Sequence, residues 1–584
     1  MCGILGYVGG SSEQLDKAAK TIAYRGPDFY GHFCDGNICL GHQRLSIIDL
    51  DSRSNQPLAD TEKTLQIVFN GEIYNYKTLK QELLSKDLNF NTESDTEVIL
   101  NAYKNHGVEC IKNLQGMFAF GIFDIPGQKI ILARDHAGIK PLYYYQKDGV
   151  FAFASEIKAL VSLLKQNGVK LEVDKQSIRQ FLILGYIPSP CSLVKDIKKL
   201  PKSSFAIYDL KNQSFNIQNF EPFYNKITNL NEYKELIEKK VLDHLIADVP
   251  VGVYFSGGTD SSLIAAILHK HNIKLKTFSI DLGNREDKYY FDKINSLLKL
   301  DSQVIHFGED EMQQIYERVS RLIDEPTWDS SIYPTAYISQ IAAKDVKVVL
   351  SGEGGDEYFW GYHRHLVLER MGFGHRFASK HFFNIFRLLP TGLRRNAYLK
   401  LGRILNDAWL YYLSAMSPAI EYLNYDSITQ IISNLEGQST EPVYLDRDFY
   451  LENDLLRKID LATSYASIEG RVPLLDFDIV RNSELFKDEH LKNGELKSFL
   501  KKILTDYLPA DLVNRKKAGF GLKGDMIEQC PKLKQDAEKG LAYLRATGLL
   551  PRLSISELQQ KNPGLVYAAA SLKSSLQNLG FSLD

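Results

Sequence analysis

Near residue 215 the pattern of this chain changes period, and that change restricts its architecture more than its composition does. Up to about residue 210 the apolar residues fall in short β-rich runs, such as 65–70 and 117–124. Gly, Pro and Asn/Asp turns separate these runs, and helical stretches such as 76–84 interrupt them. A polar stretch at 211–231, rich in Asn and Gln, follows and has the character of a linker. Beyond it, apolar strands at 249–255, 276–280 and 347–350 alternate with helical periods at 262–269, 290–298 and 336–344. Such alternation predicts a parallel sheet covered by helices, and from about residue 373 the pattern is mostly helical. Two domains are expected, 1–215 and 216–584, because 584 residues exceed what one hydrophobic core organises.

The near balance of 70 basic and 72 acidic residues gives no field that would draw in nucleic acid or an anionic membrane. No leader of basic then apolar residues opens the chain, and no apolar run is long enough to span a bilayer, so a cytoplasmic enzyme is expected. Cys2, Cys34, Cys39, Cys110, Cys191 and Cys530 form no C-x-x-C pair and have no histidines at metal spacing. Neither a disulfide framework nor a zinc site is expected from them.

Cys2 directly follows the initiator methionine. Removal of Met1 would leave a thiol and a free α-amine on one residue, and an amine with a pKa near 7.7–8.0 can accept the thiol proton. Position alone is weak evidence, but the company is specific: Arg25-Gly26-Pro27-Asp28, Gly41-His42-Gln43-Arg44-Leu45-Ser46-Ile47-Ile48-Asp49, Asn70-Gly71-Glu72, Ser94-Asp95-Thr96-Glu97 and Gly138-Ile139-Lys140-Pro141. In this order the set resembles the class II glutamine amidotransferase domain, an N-terminal nucleophile hydrolase fold of αββα layers. The resemblance implies that Cys2 is the nucleophile, and that Arg44, within the segment of Leu45, Ser46, Ile47 and Ile48, takes the glutamine α-carboxylate. Asp95, helped by Glu72, would take the ammonium, while Asn70 and the Gly71 N–H would form an oxyanion hole. Taken singly, Arg44 and Asp95 would pass for surface ion pairs and Asn70-Gly71 for a hairpin turn.

Ser256-Gly257-Gly258-Thr259-Asp260-Ser261-Ser262 lies between an apolar strand and a helix, where N–H groups and the helix dipole can meet an anion. It is not a Walker loop, since no Gly-Lys-Ser/Thr follows. Asp324-Glu325-Pro326, Ser351-Gly352-Glu353-Gly354-Gly355-Asp356-Glu357, Glu469-Gly470-Arg471-Val472-Pro473, Lys497 ahead of Leu508-Pro509, and Arg515-Lys516-Lys517 with Gly519-Phe520 come later. The ensemble resembles the synthetase domain of glutamine-hydrolysing asparagine synthetases of the bacterial B type, an α/β pyrophosphate-loop fold with a helical C-terminal part. The resemblance implies ATP as substrate, its phosphates on Ser256, Gly257, Gly258 and Ser261. Its adenosine end would be framed by Phe255, Ile280, Ser351 and Gly352. Asp260 and Asp356 would be Mg²⁺ ligands, and Glu353 and Lys497 would support adenylation. Alone, Lys497 in a Lys-rich helix would be read as solvated surface.

The implied reaction converts ATP, glutamine and a carboxylate, aspartate by this resemblance, through an acyl-adenylate with ammonia passed between domains. Another acceptor, such as a sugar uronate, remains open, as does a catalytically silent sensor of glutamine and ATP. Association into a homodimer is also left open. The segment 376–403, with Phe382, Phe383 and Phe386 among Arg387, Arg394, Arg395, Lys400 and Arg403, is expected to be a covering helix whose cations reach to solvent.

Overall fold

The computed structural model describes residues 1–283, 285–371, 389, 393–405, 407–423, 425–436, 444–514, 530–551 and 553–583. The first half contains β1 (Gly3–Val8), β2 (Phe29–Asp35), β3 (Ile38–Arg44), β4 (Leu58–Ala59), β5 (Leu65–Ile73) and β6 (Gly116–Asp124). After these come β7 (Lys129–Arg134), β8 (Tyr143–Lys147), β9 (Val150–Ala154), β10 (Ile197–Lys199), β11 (Ser204–Asp209) and β12 (Ser214–Asn219). They form two antiparallel sheets, ordered β10-β8-β9-β1-β3-β2 and β12-β11-β7-β6-β5-β4.

Strand β1 shows why the sheets stack. All six of its residues are buried, Leu5 and Tyr7 against helices and Ile4 and Val8 against the other sheet, so both of its faces need cover. Ile4, Leu40 and Phe153 of one sheet meet Val68, Phe123 and Leu132 of the other in the central core. Helices α1 (Ser12–Lys20) and α4 (Ile157–Gln166) cover the outer face of the first sheet through Leu15 and Leu160. Helices α2 (Tyr76–Leu84) and α3 (Asp95–His106) cover the second through Leu83 and Val98. The result is the expected αββα sandwich.

Strand β12 lies within the polar stretch that reads as a linker. Phe215 and Ile217 alternate inward onto the core between the sheets, while Ser214, Asn216 and Gln218 are exposed. An edge strand open to water on one face needs only two such residues, so its polarity hid it. A second departure concerns the cysteines. Cys34 and Cys39 are register partners across the β2–β3 hairpin and are joined by a disulfide, whereas Cys2, Cys110, Cys191 and Cys530 are free. Spacing alone did not reveal the pair because the hairpin turn brings the two residues into opposition.

In the second half β13 (Val251–Tyr254), β14 (Lys276–Asp281), β15 (Asp301–His306), β16 (Val348–Leu350) and β17 (Glu469–Arg471) form a parallel sheet ordered β15-β14-β13-β16-β17. The helix Thr259–Lys270 connects β13 to β14, and Ile332–Ala342 precedes β16. The helices Pro531–Ala546 and Pro563–Asn578 pack through Leu544 and Leu572 into the same core as Leu160 of α4, which ties the two halves together. Most of the basic aromatic segment and all of Arg515, Lys516, Lys517, Gly519 and Phe520 lie outside the described residues; Arg394 and Lys400 fall on the helix Arg394–Leu405. Among the described residues no helix is long and apolar enough to cross a membrane.

Two candidate active sites and the seam between them

Cys2 sits at the mouth of β1, an interior strand of its sheet. Its Sγ receives the Leu45 N–H at 3.4 Å, and the Arg25 Nε–H donates to its carbonyl at 2.9 Å. Burial pushes the thiol pKa up, opposed by the nearby amine and the Leu45 N–H. That amine belongs to Met1, which is itself buried and donates to the Ile468 carbonyl at 3.3 Å; burial lowers its pKa to about 5. On loss of Met1 the free amine would belong to Cys2 itself, placed to take the thiol proton.

Asn70 and Gly71 lie inside β5 and form no turn. The Asn70 side chain is fully buried, and neither Oδ1 nor Nδ2 has a hydrogen-bond partner among the described residues, a costly state that a bound carbonyl would relieve. A Cβ on Gly71 would stand 2.0 Å from the Met117 carbonyl, so no other residue fits there. Arg44 and Asp95, at 4% and 5% exposure, are not surface groups. The Arg44 guanidinium donates to the carbonyls of Asp49 (2.5 Å) and Asp51 (3.0 Å) and to Asn55 Oδ1 (2.7 Å), shaping the loop that carries Leu45, Ser46, Ile47 and Ile48. Asp95 opens α3 and accepts the Ile73 N–H at 3.0 Å; burial raises its carboxyl to about 6.

In the second half the Ser256–Ser261 loop leaves the C-terminal end of β13, and Ser351-Gly352 leaves that of β16. Because β14 and β16 flank β13 on opposite sides, the two loops border the crevice where the strand order reverses, the usual ligand position in such sheets. Ser256 Oγ and Ser261 Oγ lie 3.1 Å apart, and the Gly258 N–H donates to Ser256 Oγ at 3.3 Å. Phe255 is buried and pairs with the Phe278 carbonyl at 2.8 Å, beside the end of β14 that bears Ile280.

Lys497 is buried, and its Nζ lies between the carboxylates of Asp260 and Asp356, the latter at 2.6 Å. Burial alone would lower its pKa, but these two charges hold it above the usual lysine range. The pairing excludes Lys497 from the solvated surface. Gly361 permits it: a Cβ there would meet Asp356 Oδ1 at 1.9 Å and Lys497 Cε at 2.3 Å. Glu353 binds Lys458 Nζ at 3.0 Å, and Asp329 lies 3.6 Å from the same nitrogen. Burial and then Asp356 push Glu357 up to about 8.

Several residues without an assigned role tie the sites together. Asp248 accepts the Asp49 N–H at 2.8 Å, and its own N–H donates to the Ile47 carbonyl at 2.9 Å. Arg25 pairs with Asp460 at 2.8 Å, Arg134 with Glu452 at 2.7 Å, and Arg471 with Glu72 at 2.7 Å. Between these pairs Met117, Ala137 and Ile139 of the first half pack against Leu455, Ile459, Val472 and Leu475 of the second.

Comparison with known sequences accords with this geometry. The family described as "Asparagine synthase" matches residues 232–579, and that described as "Glutamine amidotransferase domain" matches residues 1–221. The chain belongs to the asparagine synthase family. Among family members, "Asparagine synthetase [glutamine-hydrolyzing] 1" of Bacillus subtilis (strain 168) is 32% identical over 95% of this chain and 93% of its own length. A relative from Methanocaldococcus jannaschii named "Putative asparagine synthetase [glutamine-hydrolyzing] 2" is 36% identical over 64% of this chain and 78% of its own. "Asparagine synthetase B [glutamine-hydrolyzing]" of Escherichia coli (strain K12) is 32% identical over 62% and 65%, respectively.

Proposed function

We propose that this protein is a glutamine-hydrolysing asparagine synthetase acting in the cytoplasm. A glutaminase unit (1–215, completed by β12) would release ammonia to a synthetase unit (216–584) that adenylates aspartate with ATP. Asparagine, glutamate, AMP and pyrophosphate would be the products. The observation that carries this reading is the presence, in one family member, of a buried, unpartnered Asn70 on β5 together with the half-buried Cys2 thiol at the mouth of β1, and of two glycine-rich loops around a Lys497–carboxylate cluster. The apolar packing around Ile139 and Ile459 supports direct passage of ammonia, which is mostly ammonium once it reaches neutral water.

In this reading the glutamine carboxylate binds at Arg44 within the Leu45–Ile48 loop, and its ammonium at Asp95 and Glu72. Attack of the Cys2 thiolate on the side-chain amide places negative charge on its oxygen, which Asn70 Nδ2 and the Gly71 N–H would meet. Asn70→Ala should lower glutaminase kcat by about 10²–10³-fold. Glutamate release checks this, and unchanged ammonia-driven AMP formation in the same protein locates the loss.

ATP would lie with its adenosine near Phe255, Ile280, Ser351 and Gly352 and its phosphates at Ser256, Gly257, Gly258 and Ser261. Two carboxylates beside a phosphate site suit Mg²⁺, which is held by one or two protein carboxylates plus the phosphates, so Asp260 and Asp356 fit as its ligands. Bound there, Mg²⁺ would neutralise phosphate charge. Lys497 would counter charge developing on the α-phosphate, and Glu353, fixed by Lys458, would border the acyl group.

Aspartate is favoured as acceptor because ionisable groups of both signs, Lys458, Asp329 and Asp454, gather beside Glu353. A site that pairs both the α-ammonium and the α-carboxylate rejects analogues lacking either. With ammonia present, aspartate should drive pyrophosphate release and succinate should not. AMP formation with a sugar uronate but not with aspartate would leave the amidotransferase and remove the asparagine synthetase.

A further inference from the structure

We propose that Arg471, a residue of the synthetase half, is a positioning residue for glutamine: its guanidinium holds Glu72 as the second acceptor of the substrate ammonium. The inference rests on reading the first half as a glutaminase.

Arg471 is the last residue of β17 and is fully buried. It is fixed by its strand pairing with Leu350, and its carbonyl accepts the Ser351 N–H at 2.8 Å. From this anchor the side chain crosses the seam. One terminal nitrogen reaches Glu72 at 2.7 Å, Nε reaches Glu469 at 2.9 Å, and the other terminal nitrogen donates to the carbonyls of His244 (2.8 Å) and Ile246 (2.6 Å). All three nitrogens are engaged, so the charge has one orientation. Glu72 lies on β5 two residues after Asn70, which places it on the same side of the strand.

The groups facing Glu72 explain why a cation is needed there. Asp95 approaches from the start of α3, Glu469 from β17, Tyr74 from the segment after β5 and Tyr76 from the start of α2; Arg471 supplies the positive charge. Tyr74 also packs against His244 with ring centroids 3.8 Å apart and planes tilted by 33°, and burial keeps that imidazole neutral. Burial first, and then Asp95, push the Glu72 carboxyl well up, while Arg471 opposes them. Two adjacent buried carboxyls cannot both ionise without cationic company. Arg471 provides part of it permanently, and the incoming ammonium completes it. A buried Arg–Glu pair gains little stability over apolar packing, which favours a role in binding over one in folding alone.

The sign of the pH effect follows. Removing the guanidinium raises the pKa of the Glu72–Asp95 pair, so the pair loses its grip on ammonium at a higher pH. Arg471→Gln should raise the glutamine KM about tenfold at neutral pH, with kcat within about twofold. The acid limb of kcat/KM for glutamine should move up by about one pH unit, the low end for loss of an adjacent opposite charge. Arg471→Lys should return the limb most of the way. Thermal melting of each variant establishes folding; should Arg471→Gln fail to fold, Arg471→Lys must still show a raised glutamine KM and a smaller upward shift of the acid limb. Folded variants with an unchanged glutamine KM and acid limb overturn the inference. Cys2→Ala, measured in parallel, separates the two readings. If it still releases glutamate, the glutaminase assignment itself fails; if it is inactive while Arg471→Gln behaves as the parent, only the role of Arg471 fails.

Discussion

Cys2→Ala is expected to abolish glutamate release, by on the order of 10⁴-fold or more, while leaving ammonia-driven synthesis within a few-fold of the parent. Among the described residues the hydrogen-bonding contacts of the thiol are with Leu45, so its removal disturbs little besides the chemistry. The described residues of the second site offer carboxylates, hydroxyls and the Lys497 cation rather than sulfur. Ammonium supplied at alkaline pH, where a larger fraction is neutral, therefore bypasses the lesion. Retention of Met1 should have the same consequence, since it leaves Cys2 without a free amine. Glutamate and AMP are measured in the same samples. Glutamate release at the parent rate from Cys2→Ala would sink the assignment of the nucleophile.

Lys497→Ala is expected to do the reverse, removing more than about 10³-fold of AMP formation while glutaminase persists. The side chain is held between Asp260 and Asp356, and without it those two carboxylates face the incoming phosphates as uncompensated negative charge. The variant loses a cation at the α-phosphate and gains repulsion for the nucleotide. Losing one partner of a buried pair costs about 3–5 kcal/mol, so a lower melting temperature is expected as well. Glutamine hydrolysis at the temperature of assay distinguishes a folded, synthetase-dead protein from an unfolded one. Parallel loss of both activities in a folded variant would contradict separable sites.

Much of this organisation is legible along the chain. The change from short β-runs to alternating strand and helix foretells a sandwich followed by a parallel sheet, because each pattern buries its apolar face in only one way. Helix α2 falls where the 76–84 periodicity puts it, and β5, β6 and β14 lie over the apolar runs at 65–70, 117–124 and 276–280. Asn70 and Gly71 share a strand, and Ser256 and Ser351 lie at the ends of adjacent parallel strands, since local turn chemistry fixes such placements.

What the sequence could not determine depends on approach between distant segments. Polarity concealed β12 because an exposed edge strand needs little apolar surface, and the Cys34–Cys39 pair required the hairpin register. Lys497 reads as one lysine among many. Only folding brings it 237 positions back to Asp260, and burial turns a solvated charge into a paired one. Arg471 stands within a recognisable motif, yet its partner Glu72 lies 399 residues away on the other half of the molecule. Composition and period decide which elements form and which faces they bury, since those are short-range matters. The charge environment of each site was settled by the tertiary structure alone, because buried charges act through space and are strong only where packing excludes water.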